Sequence, residues 1–203
     1  MDHNLKDSID MSYKYDVFFS YKRNPESDAW HQKVMMILQF WLKQELHKPN
    51  LTVFFDQEDI HTGNRWQAKL GGALKTSKVI VCIWSPLYFQ SKWCVSEWKT
   101  FSVREDSCQR ELIMPASFID GESFPAPARA RAFADFSHYT SVLPTFWDTQ
   151  LAVNFESEYL KKFAKDLASL VRQAPPFDPN FPVVEAADNE VLSEGVIGRI
   201  ADV

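Results

Sequence analysis

The chain has 203 residues, 45% of them hydrophobic and 14% aromatic, which is ample for one main domain with a sizeable core. A formal net charge of -5 with no Lys/Arg-rich run argues against a nucleic-acid surface, and no apolar run approaches the length of a membrane span, so a soluble protein is expected. Cys82, Cys94 and Cys108 are odd in number and widely spaced, matching neither a disulfide framework nor a zinc pattern; free thiols in a reducing compartment, and no metal, are the simplest reading.

The opening "MDHNLKDSIDMSYK" is polar and acidic where a signal peptide would be cationic and then apolar, so residues 1–12 read as a flexible leader of a cytoplasmic protein. "YDVFFSY", Tyr15 to Tyr21, is β-branched and aromatic with polar stops, the pattern of a strand buried on both faces. From Pro25 to about Lys48, Trp30, Val34, Ile37, Leu38, Trp41 and Leu42 recur at helical spacing, with Ser27 or Asp28 as the cap. A short strand "LTVFF", Leu51 to Phe55, precedes the polar loop Asp56 to Asn64 and a helix carrying Trp66, Leu70, Ala73 and Leu74.

"KVIVCIW", Lys78 to Trp84, is the most strand-like segment, ended by Ser85-Pro86, and Trp93 to about Arg104 is expected to be helical. A fourth strand falls within Glu111 to Phe118, weakened at its far end by Pro115, and a short fifth within Ala132 to Phe136. The last helix is predicted over Glu156 to Arg172, with Tyr159, Phe163, Leu167 and Leu170 on one face. "APPFDPNFP" then breaks regularity. Beyond Pro182 the tail is acidic and poor in aromatics, leaving disorder, a docking segment or the start of a further domain open. Alternating strands and helices imply a parallel sheet covered on both faces, with ligands at the carboxyl ends of the strands. That arrangement gathers the Tyr21 to Arg23 turn, the Asp56 to Asn64 loop and the Trp84 to Trp93 segment.

Several chemistries are excluded. No GxGxxG, GxxxxGK[ST] or GxSxG motif occurs, and the five histidines lack ligand spacing. Cys94, a helical cysteine close to Trp98, reads as packing rather than as a nucleophile. Glu97 is left as one acid among two tryptophans and a cysteine in "QSKWCVSEW", which is either solvated, paired with a cation or tuned for chemistry.

Three motifs, "YDVFFSYKR", "VFFDQEDIHTGNRW" and "SPLYFQSKWCVSEW", with a later "FW" at Phe146-Trp147, resemble those of the Toll/interleukin receptor (TIR) domain family over roughly Tyr13 to Arg172. The resemblance implies an α/β, flavodoxin-like fold over residues 13–173, a five-stranded parallel sheet of order 2-1-3-4-5 with helices on both faces, followed by a Pro-rich linker and acidic tail over 174–203. It also implies self-association, or pairing with other TIR domains, through the loop after the second strand. In that loop Asp56 and Asp59 either order the chain or cap the next helix, and Gly63 lets the loop change shape.

The family has two functional branches. One consists of adaptors or decoys that only bind other TIR domains. The other cleaves NAD+ at the nicotinamide-ribose bond, with a glutamate where Glu97 stands here, and this compact chain resembles its prokaryotic-style members, whose setting is immune or antiphage defence. Nicotinamide leaves neutral from a cationic precursor, so no acid partner is needed and one carboxylate suffices to hold the ribose and stabilise the developing positive charge. NAD+ is then substrate, not cofactor. Tyr21 could lie against a nucleotide ring, Lys22 and Arg23 could meet the pyrophosphate, and Trp93 could pack on substrate; the alternatives are a surface turn for the first three and core packing for Trp93.

Overall fold

The computed structural model describes residues 12–55 and 64–191. Residues 1–11 and 192–203 lie outside that set, and so does the loop 56–63 with Asp56, Asp59 and Gly63.

Strand β1 (Tyr15–Tyr21) is buried along nearly its whole length because it is the interior strand from which the sheet grows both ways. It pairs in parallel with β2 (Val53–Phe54) on one side and β3 (Ser77–Trp84) on the other. β3 continues to β4 (Ile113–Ser117) and β4 to β5 (Ala134–Asp135), giving the order β2-β1-β3-β4-β5. The side chains of β1 alternate between two helical layers, as a pleated strand requires. Val17 and Phe19 meet α1 (Asp28–Leu46) and α7 (Lys161–Gln173), while Ser20 turns to the opposite face, toward α3 (Pro86–Phe89) and α4 (Lys92–Cys108). α2 (Asn64–Lys75) leads into β3, burying Leu70, Ala73 and Leu74.

α1 buries Trp30, His31, Val34, Leu38 and Leu42 and ends on His47 in the left-handed conformation. Ser27 holds the N-cap position without capping: its hydroxyl donates to Asn24 O, and Asp28 Oδ1 accepts from Asn24 N, so Asn24 and Asp28 close the turn. At the start of β1, Asp16 is inaccessible and accepts hydrogen bonds from Lys48 Nζ at 2.6 Å, Lys78 Nζ at 2.8 Å and Thr52 N at 3.1 Å. Burial works to raise its carboxyl pKa, but the two lysines together outweigh that and hold it below the usual carboxylate range.

Pro115 lies inside β4 rather than breaking its end. Phe118 N donates to Trp84 O and Phe136 N to Ser117 O, so even-numbered residues of β4 face β3 and odd-numbered ones face β5. β5 pairs only from Ala116 onward, so the amide missing at Pro115 costs no ladder bond. The remaining outward amide, Ile113 N, donates to Glu105 Oε1, which also accepts from Leu112 N, and Arg131 pairs with the other oxygen at 2.6 Å.

The last helical run starts earlier than its sequence pattern suggests. α6 (Gln150–Asn154), a π-helical turn at Phe155–Leu160 and α7 follow one another directly. The wider π turn shifts the phase, so the buried row is Leu160, Phe163, Ala164, Leu167, Ala168 and Val171. Tyr159 is turned out, 39% exposed, and packs on Tyr139. The chain then returns along α4, with Phe181 and Ala186 buried. A short α5 (Ala126–Arg129) precedes β5.

Candidate active site

At the carboxyl end of β1 the chain leaves the sheet through Tyr21, Lys22 and Arg23. Between this exit and the first turns of α4 lies a cavity of about 180 Å³. It sits where the strand order reverses, with β2 to one side of β1 and β3 to the other, the position at which open parallel sheets bind ligands. Phe18, Phe19, Phe54 and Leu70 make its apolar wall, and Ser91, Trp93, Cys94 and Glu97 come from the start of α4.

Two serine caps set that side of the cavity. Ser85 Oγ accepts from Tyr88 N at 3.1 Å and starts α3 directly after β3; Ser91 Oγ accepts from Cys94 N at 3.5 Å and starts α4. The first cap delivers the Tyr88 hydroxyl beneath the cavity, and the second aims Trp93 and, one turn on, Glu97 along one helix face.

Glu97 is 8% exposed. Ser20 Oγ donates to Glu97 Oε2 at 2.5 Å, and Ser20 Oγ lies 2.8 Å from Tyr88 Oη. Because Ser20 commits its proton to the carboxylate, Tyr88 is the donor in the second bond. Burial first, then the neighbouring Cys82, Cys94 and Glu97, push the Tyr88 pKa well above 10, which keeps that proton in place. The result is a directed relay, Tyr88 to Ser20 to Glu97, that fixes a buried carboxylate by hydroxyl dipoles. Cys94 donates toward Tyr21 O at 3.6 Å, and burial, then Glu97, drive its thiol pKa far up, so it is held as a packed thiol rather than a nucleophile.

Tyr21, Lys22, Arg23, Trp93 and Glu97 thus line one cavity. Tyr21 is placed differently from a base-stacking residue: its ring stacks on His31 at 4.6 Å and on Phe55 at 5.2 Å, so its faces are taken. Trp93, 41% exposed, adds an aromatic ring at the rim of the cavity. Ser20 and Tyr88 are absent from the sequence-based candidates. The available signal was that Ser20 is a small polar side chain directly after the apolar run Val17–Phe19 of a strand buried on both faces, and a buried hydroxyl must find a partner. Among the described residues no three His, Cys, Asp or Glu side chains converge as a metal-binding group, and no helix is long and apolar enough to cross a membrane.

A family model described as TIR domain matches residues 17–145. The chain is similar to the solved TIR domain of the Toll-related receptor TRR-2 from Hydra magnipapillata, at 22% identity over 66% of this chain and 93% of that one, with a TM-score of 0.43. It is also similar to the TIR domains of the activated Roq1 resistosome that directly recognizes the pathogen effector XopQ, at 16% identity over 76% of this chain and 84% of that one, with a TM-score of 0.37. No curated protein sequence matches the chain.

Proposed function

We propose that this chain, which belongs to the TIR domain family, is an NAD+ glycohydrolase that breaks the nicotinamide-ribose bond with Glu97 as its catalytic carboxylate. The observation that carries the reading is a carboxylate 8% exposed, aimed at a cavity and oriented by Ser20 and Tyr88. Buried acids cost free energy to keep, and one fixed beside a ligand-sized space is suited to meeting a cation.

In the reaction, the bond from the anomeric carbon to the pyridinium nitrogen breaks and its electron pair leaves with nicotinamide, which departs neutral. The ribosyl carbon becomes positive, and Glu97, held in a low-dielectric pocket, stabilises that charge while it develops. Water, or an adenine nitrogen of the same molecule, then forms the new bond to give linear or cyclic ADP-ribose, a proton being lost when water is the acceptor. A cavity of about 180 Å³ suits the nicotinamide-ribose end rather than a whole dinucleotide, with the pyrophosphate toward Lys22 and Arg23 and Trp93 flanking the rim.

Assembly through the 56–63 loop completes the site in this reading, so nicotinamide release should rise more than linearly with protein concentration. The test is nicotinamide release by wild type and by Glu97→Gln over a concentration series. Equal release by the two removes Glu97 from catalysis, and no release by wild type in the assembled state leaves the binding-only adaptor.

A further inference from the structure

α4 carries a second row of polar side chains beside the cavity row. Ser96, Thr100 and Arg104 are spaced four apart and are buried, although nothing in the cavity uses them. What covers them is the chain's own segment 181–190. Thr100 Oγ1 donates to Val184 O at 3.2 Å and accepts from Val184 N at 3.0 Å, so one hydroxyl reads both backbone groups of a single residue. Ser96 Oγ donates to Lys92 O at 2.6 Å and accepts from Ala186 N at 2.9 Å. The Arg104 guanidinium lies 4.2 Å from the Phe181 ring centroid and donates to Ser77 O and to the Tyr13 hydroxyl.

Charges frame these contacts. Lys92 pairs with Glu185 at 3.2 Å and Asp188 at 3.0 Å, and Lys99 with Glu190. α4 therefore offers this segment two hydroxyls for its backbone, a guanidinium for an aromatic anchor and two lysines for its acids. The segment meets each in turn, and does so beyond residue 145, where the family match stops.

We propose that this flank of α4 is a recognition groove for an acidic segment, that residues 181–190, irregular over 181–187 and closed by a 3-10 turn at Asp188–Glu190, are its resident ligand, and that their docking sets the packing of the helix turn bearing Trp93, Cys94 and Glu97. Ser96 and Lys92 belong to that turn, so the ligand grips it by a backbone-directed hydrogen bond and by ion pairs at once. The backbone hydrogen bonds are few and the ion pairs lie at the surface, so the segment releases at far lower cost than the core unfolds. Release frees the first turn of α4 and opens the cavity wall from behind.

The test uses the full chain and needs no turnover, so it stands or falls apart from the NAD+ reading. Three variants are compared with wild type: Lys92→Glu with Lys99→Glu; Glu185→Lys with Asp188→Lys and Glu190→Lys; and all five together. Hydrogen exchange is read at the Val184 and Ala186 amides, and alkylation by iodoacetamide is read cysteine by cysteine. Each one-sided reversal is expected to speed exchange at both amides and alkylation of Cys94 by roughly tenfold, with buried Cys82 still protected, and the combined variant to restore wild-type rates. High salt should move wild type in the same direction. If Cys82 becomes reactive, that variant has unfolded, and Thr100→Val together with wild type in high salt decide. Unchanged amide exchange overturns the groove, and faster amide exchange with unchanged Cys94 overturns the coupling to the cavity.

Discussion

β1 holds a buried acid near each end, one its own and one docked onto it, and the two are treated in opposite ways. Asp16, at the start, is closed in by two lysines and the Thr52 amide. Glu97, at the carboxyl end, is met by the Ser20 hydroxyl and opens on a cavity. Asp16 has its charge answered by neighbouring cations and so ties the β1, β2 and β3 ends together. Glu97 takes the Ser20 hydroxyl on Oε2 and lines the cavity wall. Burial alone therefore does not tell the two carboxylates apart; what each is buried against does.

The comparison is broken most decisively at Glu97. Glu97→Gln keeps the volume and both ends of the Ser20 contact but removes the charge, and turnover of NAD+ is expected to fall about 100- to 1000-fold with the thermal midpoint nearly unchanged. A large loss of midpoint instead would make Glu97 a second Asp16. The next effect is one of pH. Burial, offset in part by its bond to Ser27 O, lowers the His31 pKa to about 4, so the folded state requires a neutral ring. The unfolded chain binds that proton first: the contribution is complete above about pH 6.5, declines as pH falls and is gone by about pH 4, a loss of about 3 kcal/mol measurable by denaturant titration. His31→Phe should flatten that slope. Asp16, whose folded pKa is also depressed, adds its own loss only at lower pH, as the solution falls below the ordinary aspartate range.

Asp16→Asn strands two partly exposed lysines rather than two buried ones, so about 2 kcal/mol of stability should go while NAD+ turnover per folded molecule stays put. The smallest effects belong to the relay. Ser20→Ala should cut kcat about tenfold with KM little changed, Ser20→Thr should recover part of it, and Tyr88→Phe, one bond further away, should cost less than either end of that range. If KM rises alone in Ser20→Ala, the relay binds rather than orients.

β1 and β3 were legible in the sequence because strands buried on both faces are continuous runs of apolar residues, which few other structures produce. α3 was not, since the four residues Pro86–Phe89 are too few to carry a period. In the last helix Phe163 and Leu167 lie on the buried row as expected and Leu170 packs at its edge, whereas Tyr159 falls in the π turn at Phe155–Leu160, where helical spacing changes, and is turned out. In the site, Glu97, Trp93, Lys22 and Arg23 were reached through motifs that are local in sequence. The Ser20 contacts with Tyr88 and Glu97 span 68 and 77 positions across a parallel crossover, and no local spacing encodes them. Acidic composition left a docking segment as one of three alternatives beyond Pro182, and the Ser96, Thr100, Arg104 row on a core helix was a trace of something covering it.

The far edge of the sheet has a consequence for how the molecule behaves in a crowd. A parallel sheet whose last strand pairs only two residues exposes a template on which strands of other chains could add without limit. Along the part of β4 that β5 leaves uncovered, the two outward positions are disarmed, Pro115 by having no amide and Ile113 by surrendering its own to Glu105. That uncovered stretch of β4 therefore offers an incoming strand no free amide donor, which makes it a poor template for edge-to-edge pairing.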